Sequence, residues 1–141
     1  MSASAIDSST VLAYRETEYR VHGEPGFILR VGQASADLRL AHERHNVDCS
    51  AFLTACNPFG EPFDAAANAA RQAALGKELE RRRLRFLPGV GQHPSGDWPG
   101  EESFLVFGLT LEAAKLLGVM FSQNAVVWAG ADAVPQLVLL R

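Results

Sequence analysis

Apolar and polar positions change period several times along the chain, and each change predicts an element. Residues 10–16 read either as a short helix or as the approach to a strand at Glu18–Val21. The turn His22-Gly23-Glu24-Pro25-Gly26 closes that strand, and Phe27-Ile28-Leu29-Arg30-Val31 returns as a second, predicting a hairpin. From 35 to 45, Leu38, Leu40 and Ala41 recur at loosely helical spacing behind Ser35, a residue type that caps helices. Residues 50–55 read as a central strand apolar on both faces, which suggests cover on both sides of the sheet. Asn57-Pro58 ends it, because the residue before a proline is pushed out of the helical region and proline has no N–H for a ladder. An alanine-rich segment from about Pro62 to Arg83, with Leu75 and Leu79, predicts the longest helix, its first turn accommodating Pro62.

Beyond Leu84–Leu87 the punctuation thickens. Four glycines and three prolines among the thirteen residues Pro88 to Gly100 predict a long loop without regular structure, and loops of that length often carry function. Ser103–Gly108 reads as a strand, Thr110 as the cap of a helix running to Phe121, Ala125–Trp128 as a strand and Gln136–Leu140 as a last one. A hairpin combined with helical crossovers predicts an α+β domain, a mixed or mostly antiparallel sheet packed with about three helices. It would occupy residues 10–141 behind a disordered tail at residues 1–9.

Composition narrows the classes. At 141 residues, 48% apolar and 21% charged, the chain is long enough for one cored domain and is not of disordered type. A net charge of −3 speaks against nucleic acid as partner, leaving Arg81-Arg82-Arg83-Leu84-Arg85 as a solvated helix end whose cations complement the dipole. No apolar run reaches the ~20 residues that span a bilayer, and the first ten residues lack the basic start and apolar core of a signal peptide, so a cytoplasmic protein without a membrane partner is expected. Cys49 and Cys56 match no zinc pattern and are expected as reduced core residues. His42 and His45 with Asp48 and Cys49 likewise fit no standard metal spacing, and the glycines of 89–100 form neither a dinucleotide fingerprint nor a phosphate loop. No cofactor or metal is therefore expected.

What remains is a surplus of polar groups next to apolar elements. The amides Gln123 and Asn124 stand between a helix and a buried strand, and Thr54 and Asn57 end the central strand. At 100° per residue, Asn68, Gln72, Leu75 and Leu79 fall within an arc of about 60° with Arg71 on its flank, so the core-facing stripe carries amides at its N-terminal half. Buried polar groups must be paired or face a ligand. Two readings are open: Thr54, Asn57, Asn68, Arg71 and Gln72 line a polar pocket, or they form a network bracing helix to loop. Glu101 and Glu102 open a strand beside the long loop, where Glu101 is a candidate general base if burial raises its pKa, or else an ion-pair partner of an arginine. Ser103 with His93 as nucleophile and base is disfavoured, because no nucleophile-elbow glycine pattern is present. Trp98 serves either to anchor the loop or to cover a ligand.

In order, Thr54-Ala55-Cys56-Asn57-Pro58, Asn68 with Arg71 and Gln72, Trp98-Pro99-Gly100-Glu101-Glu102-Ser103-Phe104, and Gln123-Asn124-Ala125 resemble a bacterial family of uncharacterised proteins, domain of unknown function 3293. The resemblance spans about Tyr14 to Leu140 and implies a small bacterial protein, without assigning an activity. The expected function is binding of, or action on, a small polar or phosphorylated ligand at one end of the sheet. Its residues would be Thr54, Asn57, Asn68, Arg71, Gln72, Trp98, Ser103, Gln123 and Asn124, with Glu101 as base. The alternative is an interaction protein, such as a homodimer pairing through the apolar run 134–140, in which the polar residues only brace the fold.

Overall fold

A computed structural model describes residues 4–141. The hairpin forms as the pattern predicts, from β1 (Glu18–Val21) and β2 (Phe27–Leu29), preceded by α1 (Ser8–Glu16). Helix α1 begins inside the segment expected as a tail, and Ile6 just before it is buried. Helix α2 (Ala36–Arg44) is capped by Ser35, whose hydroxyl accepts from the Leu38 N–H at 3.0 Å. Strand β3 (Ser50–Leu53) is buried at every position.

Helix α3 (Ala65–Arg81) starts later than the sequence suggests. Asp64, not Pro62, marks the start: its carboxylate accepts from the Ala67 N–H at 2.7 Å, and a side-chain cap fixes the first turn more strongly than a permissive proline. Strand β5 (Glu101–Phe107), helix α4 (Leu111–Met120, capped by Thr110) and strands β6 (Ala125–Ala129) and β7 (Gln136–Leu139) complete the chain.

The segment expected as a loop departs most from expectation. Its first five residues belong to strand β4 (Phe86–Gln92), which pairs with β1 on one side and β5 on the other. Pro88 still accepts through its carbonyl from the His22 N–H at 2.9 Å. Gly89 is required by space, since a Cβ there would press on the Arg20 carbonyl and lie 3.0 Å from the Phe52 ring. Its glycine is a close-approach device inside a sheet, which in sequence looks the same as a turn signal.

The seven strands form one sheet in the order β2-β1-β4-β5-β3-β6-β7, every pair antiparallel, curled into a half-barrel with four helices. Alternation of side chains gives it two cores. Phe52, Leu105, Phe107, Val127 and Ala129 join Tyr19, Val21 and Leu29 against Leu38 and Ala41 of α2. Ala51, Leu53, Val106 and Val126 face the other way, onto Leu75 and Leu79 of α3 and Ala114 and Leu117 of α4. Cover on both faces explains why β3 is buried throughout, apolar from Ala51 to Leu53.

Candidate functional site

The end of the sheet where β3 stops and β5 and β6 begin gathers most of the polar residues singled out in the sequence. Asn57 is its hub. It adopts a left-handed backbone (φ 47°), a conformation asparagine tolerates better than most residues. Its Nδ2 donates to Glu101 Oε2 at 2.7 Å, and its Oδ1 accepts from the Phe63 N–H and from Asn68 Nδ2, both at 2.9 Å. The Asn57 N–H in turn donates to Asn68 Oδ1 at 2.9 Å. Asn57, Asn68 and Glu101 thus converge on one another.

Arg71, Gln72 and Gln123 tie backbone to backbone. Arg71 donates from Nε to the Ala55 carbonyl at 2.6 Å and from Nη2 to the Phe121 carbonyl at 2.5 Å. Its guanidinium is engaged with the chain itself, whereas an anion holder needs a free edge. Gln123 Nε2 donates to the carbonyls of Cys56 (3.0 Å) and Phe121 (3.2 Å). Thr54 donates to the Glu102 carbonyl at 2.7 Å and accepts from the Cys56 N–H. Ser103 donates to the Glu101 carbonyl at 2.9 Å and is buried. Asn124 donates to the Tyr14 hydroxyl at 3.1 Å and accepts from Arg141 Nη1 at 3.0 Å.

Two further left-handed residues, Phe59 (φ 54°) and Ser122 (φ 58°), meet here, with the Phe59 N–H donating to the Ser122 carbonyl at 2.6 Å. Such conformations cost on the order of 1 kcal/mol each and gather where a fold is over-determined.

Burial raises the Glu101 carboxyl above its ordinary value, opposed by the Asn57 hydrogen bond. Burial likewise raises the Tyr14 phenol, with the Asn124 hydrogen bond opposing and the Glu101 charge adding, and it raises the Cys56 thiol. Tyr14 is a member of this end that the sequence pattern does not reveal. It arrives from α1, far along the chain, and no local pattern distinguishes it from an ordinary amphipathic tyrosine.

Gln72 differs from the other amides. Its Oε1 accepts from the Ala55 N–H at 3.0 Å, which fixes the amide orientation, because only the oxygen can face an N–H. Its Nε2 is buried and has no hydrogen-bond partner among the described residues. Gln72 lines a cleft of about 430 Å³ between α3 and the β4–β5 pair, with Lys77, Glu80, Glu102, Phe86 and Phe104. Consecutive residues of a strand face opposite ways, so Glu102 looks onto this cleft while Glu101 turns to the Asn57 side. The two carboxylates, adjacent in sequence, belong to different environments.

Trp98 is half exposed; its ring packs edge-to-face on His93 at 4.7 Å and its carbonyl accepts from Gln92 Nε2 at 3.0 Å. No hydrogen bond links it to the Asn57 set among the described residues. The histidines lead elsewhere: His42 pairs with Ser50 at 2.7 Å and His45 stacks on Phe107. No group of three or more metal-binding side chains occurs among the described residues.

Residues 53–126 match the family described as Protein of unknown function (DUF3293). The chain belongs to this family. The DUF3293 match covers more than half of the chain and runs from the end of β3 into β6, so it includes Asn57, Gln72, Glu101 and Gln123 and leaves out Tyr14. No curated protein and no solved structure matches the chain.

Proposed function

We propose that this DUF3293 protein binds a small polar molecule in the Gln72–Glu102 cleft. The observation that carries the reading is the Gln72 amide. A buried donor left without an acceptor costs about 1–3 kcal/mol, and its orientation is locked by Ala55, so rotation cannot relieve it. Nε2 itself has almost no accessible surface, so a ligand acceptor, such as a carbonyl or carboxylate oxygen, would complete it only as the cleft wall opens around Gln72. Glu102 and Glu80 favour an amino or ammonium group on the same ligand, and Phe86 and Phe104 favour a short apolar frame between them. The Asn57–Asn68–Arg71–Gln123 network is the brace that holds α3 against β3 and keeps Gln72 in place. On the other face, burial of Glu101 and the effect of its charge on Tyr14 support it as a group that holds a proton there, outside the cleft. The acidic, cysteine-poor composition supports a cytoplasmic setting, and the family resemblance a bacterial one.

Thermal-shift and NMR titration against small amino amides and amino acids test the proposal. Saturable stabilisation that Q72L and E102Q each remove is expected. Failure of every such compound to bind at millimolar concentration, with Q72L less stable than the parent through loss of the Ala55 hydrogen bond, would leave Gln72 as a simple structural amide.

A second reading rests on β7, which lies at the edge of the sheet and carries Leu137, Val138 and Leu139. Pairing of two β7 edges would make a homodimer, and a strict monomer in sedimentation at high concentration removes it.

A further inference from the structure

On the opposite end of α3, a second cleft of about 260 Å³ is lined by His45, Val47, Arg83, Arg85, Phe107 and Gly108. Glu78 pairs with both Arg81 and Arg82, holding its own carboxyl well below the ordinary value, at about 2. Arg83 and Arg85 are exposed and have no carboxylate partner among the described residues.

The backbone places them deliberately. Arg83 is the left-handed residue (φ 59°) that ends α3, with the Leu84 N–H donating to the Leu79 carbonyl at 3.1 Å and the Arg83 N–H to Glu80 at 2.9 Å. Glycine is the usual residue at such a stop, and an arginine there is held at a cost of about 1 kcal/mol.

His45 completes the arrangement. Its ring stacks on Phe107 with centroids 3.8 Å apart and planes within 13°. Its Nδ1 is buried with no hydrogen-bond partner among the described residues, an environment that favours the tautomer carrying the proton on Nε2. Burial lowers the pKa of His45, and the charged groups that reinforce this, Arg85 and Arg44, are both cations. His45, Arg83 and Arg85 therefore line one small concavity, the two arginines without a carboxylate partner among the described residues.

We infer that the cleft formed by His45, Arg83 and Arg85 over Phe107 is a site for a small phosphate monoester, separate from the Gln72 cleft. Guanidinium forks match phosphate oxygens in pairs, and His45 Nε2–H supplies a further donor. The volume is below the roughly 300–1,000 Å³ of pockets that enclose larger ligands, which suits a phosphate group with a short substituent. The net charge of −3 makes a polyanion a poor partner for the molecule as a whole, while a single dianion meets only the local field.

The test is an NMR titration of the full chain with inorganic phosphate and glycerol 3-phosphate, at constant ionic strength, following the amides of residues 45, 83–85 and 108 and the His45 ring. Saturable shifts confined to these positions are expected. The double variant R83A/R85A should weaken binding at least about tenfold, and R81A, which removes a cation already paired with Glu78, should leave it within about twofold. Both variants alter exposed side chains, and an unchanged spectrum elsewhere shows that they fold. Linear shifts without saturation, or equal weakening by R81A and R83A/R85A, would overturn the site as mere screening. Tighter binding of a single-stranded oligonucleotide than of glycerol 3-phosphate would overturn the small-ligand assignment.

Discussion

Asn57 donates to Glu101 at 2.7 Å across 44 positions of chain, and the same asparagine, in a left-handed conformation, receives Asn68. One side chain therefore joins the end of β3, the start of β5 and the first turns of α3. Its removal separates two costs. N57A loses three side-chain hydrogen bonds and places a Cβ-bearing residue with no polar compensation at φ 47°, so a loss of about 2–4 kcal/mol is expected. N57G relieves the backbone and should recover about 1 kcal/mol of it. Equal denaturation midpoints for the two variants would show that the conformation contributes nothing.

Glu101 gives a pH signature. Its folded-state pKa is raised by burial, so between the unfolded value of 4.5 and the folded value the native state keeps a proton that the unfolded chain has released. Its contribution to stability is fully present below 4.5 and is lost as pH rises through the folded value. E101Q keeps an oxygen for Asn57 and cannot ionise. Denaturant titrations should show the variant matching the parent at acid pH and exceeding it above that window; parallel curves at all pH values would contradict the raised pKa.

The histidines act at the other sign. Burial depresses both His42 and His45, with Asp48 opposing and Arg39 reinforcing at His42, and Arg85 and Arg44 reinforcing at His45. Each is neutral in the fold and charged when unfolded below 6.5, so their contribution is present above 6.5 and falls as the solution is acidified through the folded values. H42Q should flatten part of the decline of melting temperature between pH 7 and pH 5, a window flagged roughly by the free imidazole value.

Arg71 spans the carbonyls of Ala55 and Phe121. R71A strands both and should cost about 2–4 kcal/mol, and R71K, with one ammonium in place of a fork, should recover less than half. Full rescue by lysine in urea denaturation would mean that charge alone, not the two-point geometry, is what this position supplies.

Gly89 tests the strand that its sequence conceals. A methyl group there meets the Arg20 carbonyl and the Phe52 ring, so G89A should lose about 1–3 kcal/mol through displacement of β1 from β4. Hydrogen exchange should then accelerate along β1 and β4 in particular. A neutral G89A would indicate that the segment adapts as the loop that its composition suggests.

Much of this protein is written locally. The apolar run Ala51 to Leu53, the alanine-rich run of α3 and the caps Ser35 and Thr110 determine elements from nearest neighbours, because propensity, capping and periodicity act within a few residues. The inward placement of Asn68 and Gln72 beside Leu75 and Leu79 follows from the helical repeat alone, and so does the need for partners. Which partners they find is a matter of tertiary structure. Only the fold decides that Asn68 meets Asn57 while Gln72 Nε2 finds no hydrogen-bond partner among the described residues, that Glu101 and Glu102 turn to opposite faces, and that Tyr14 comes to the amide end. Strand β4 belongs to the same class, since its glycines read as turns until β1 and β5 close on them. The Arg81–Arg85 run divides in the same way: the pairing of Glu78 with Arg81 and Arg82 at i,i+3 and i,i+4 follows from the helical repeat, but the meeting of Arg83 and Arg85 with His45 is set by tertiary structure.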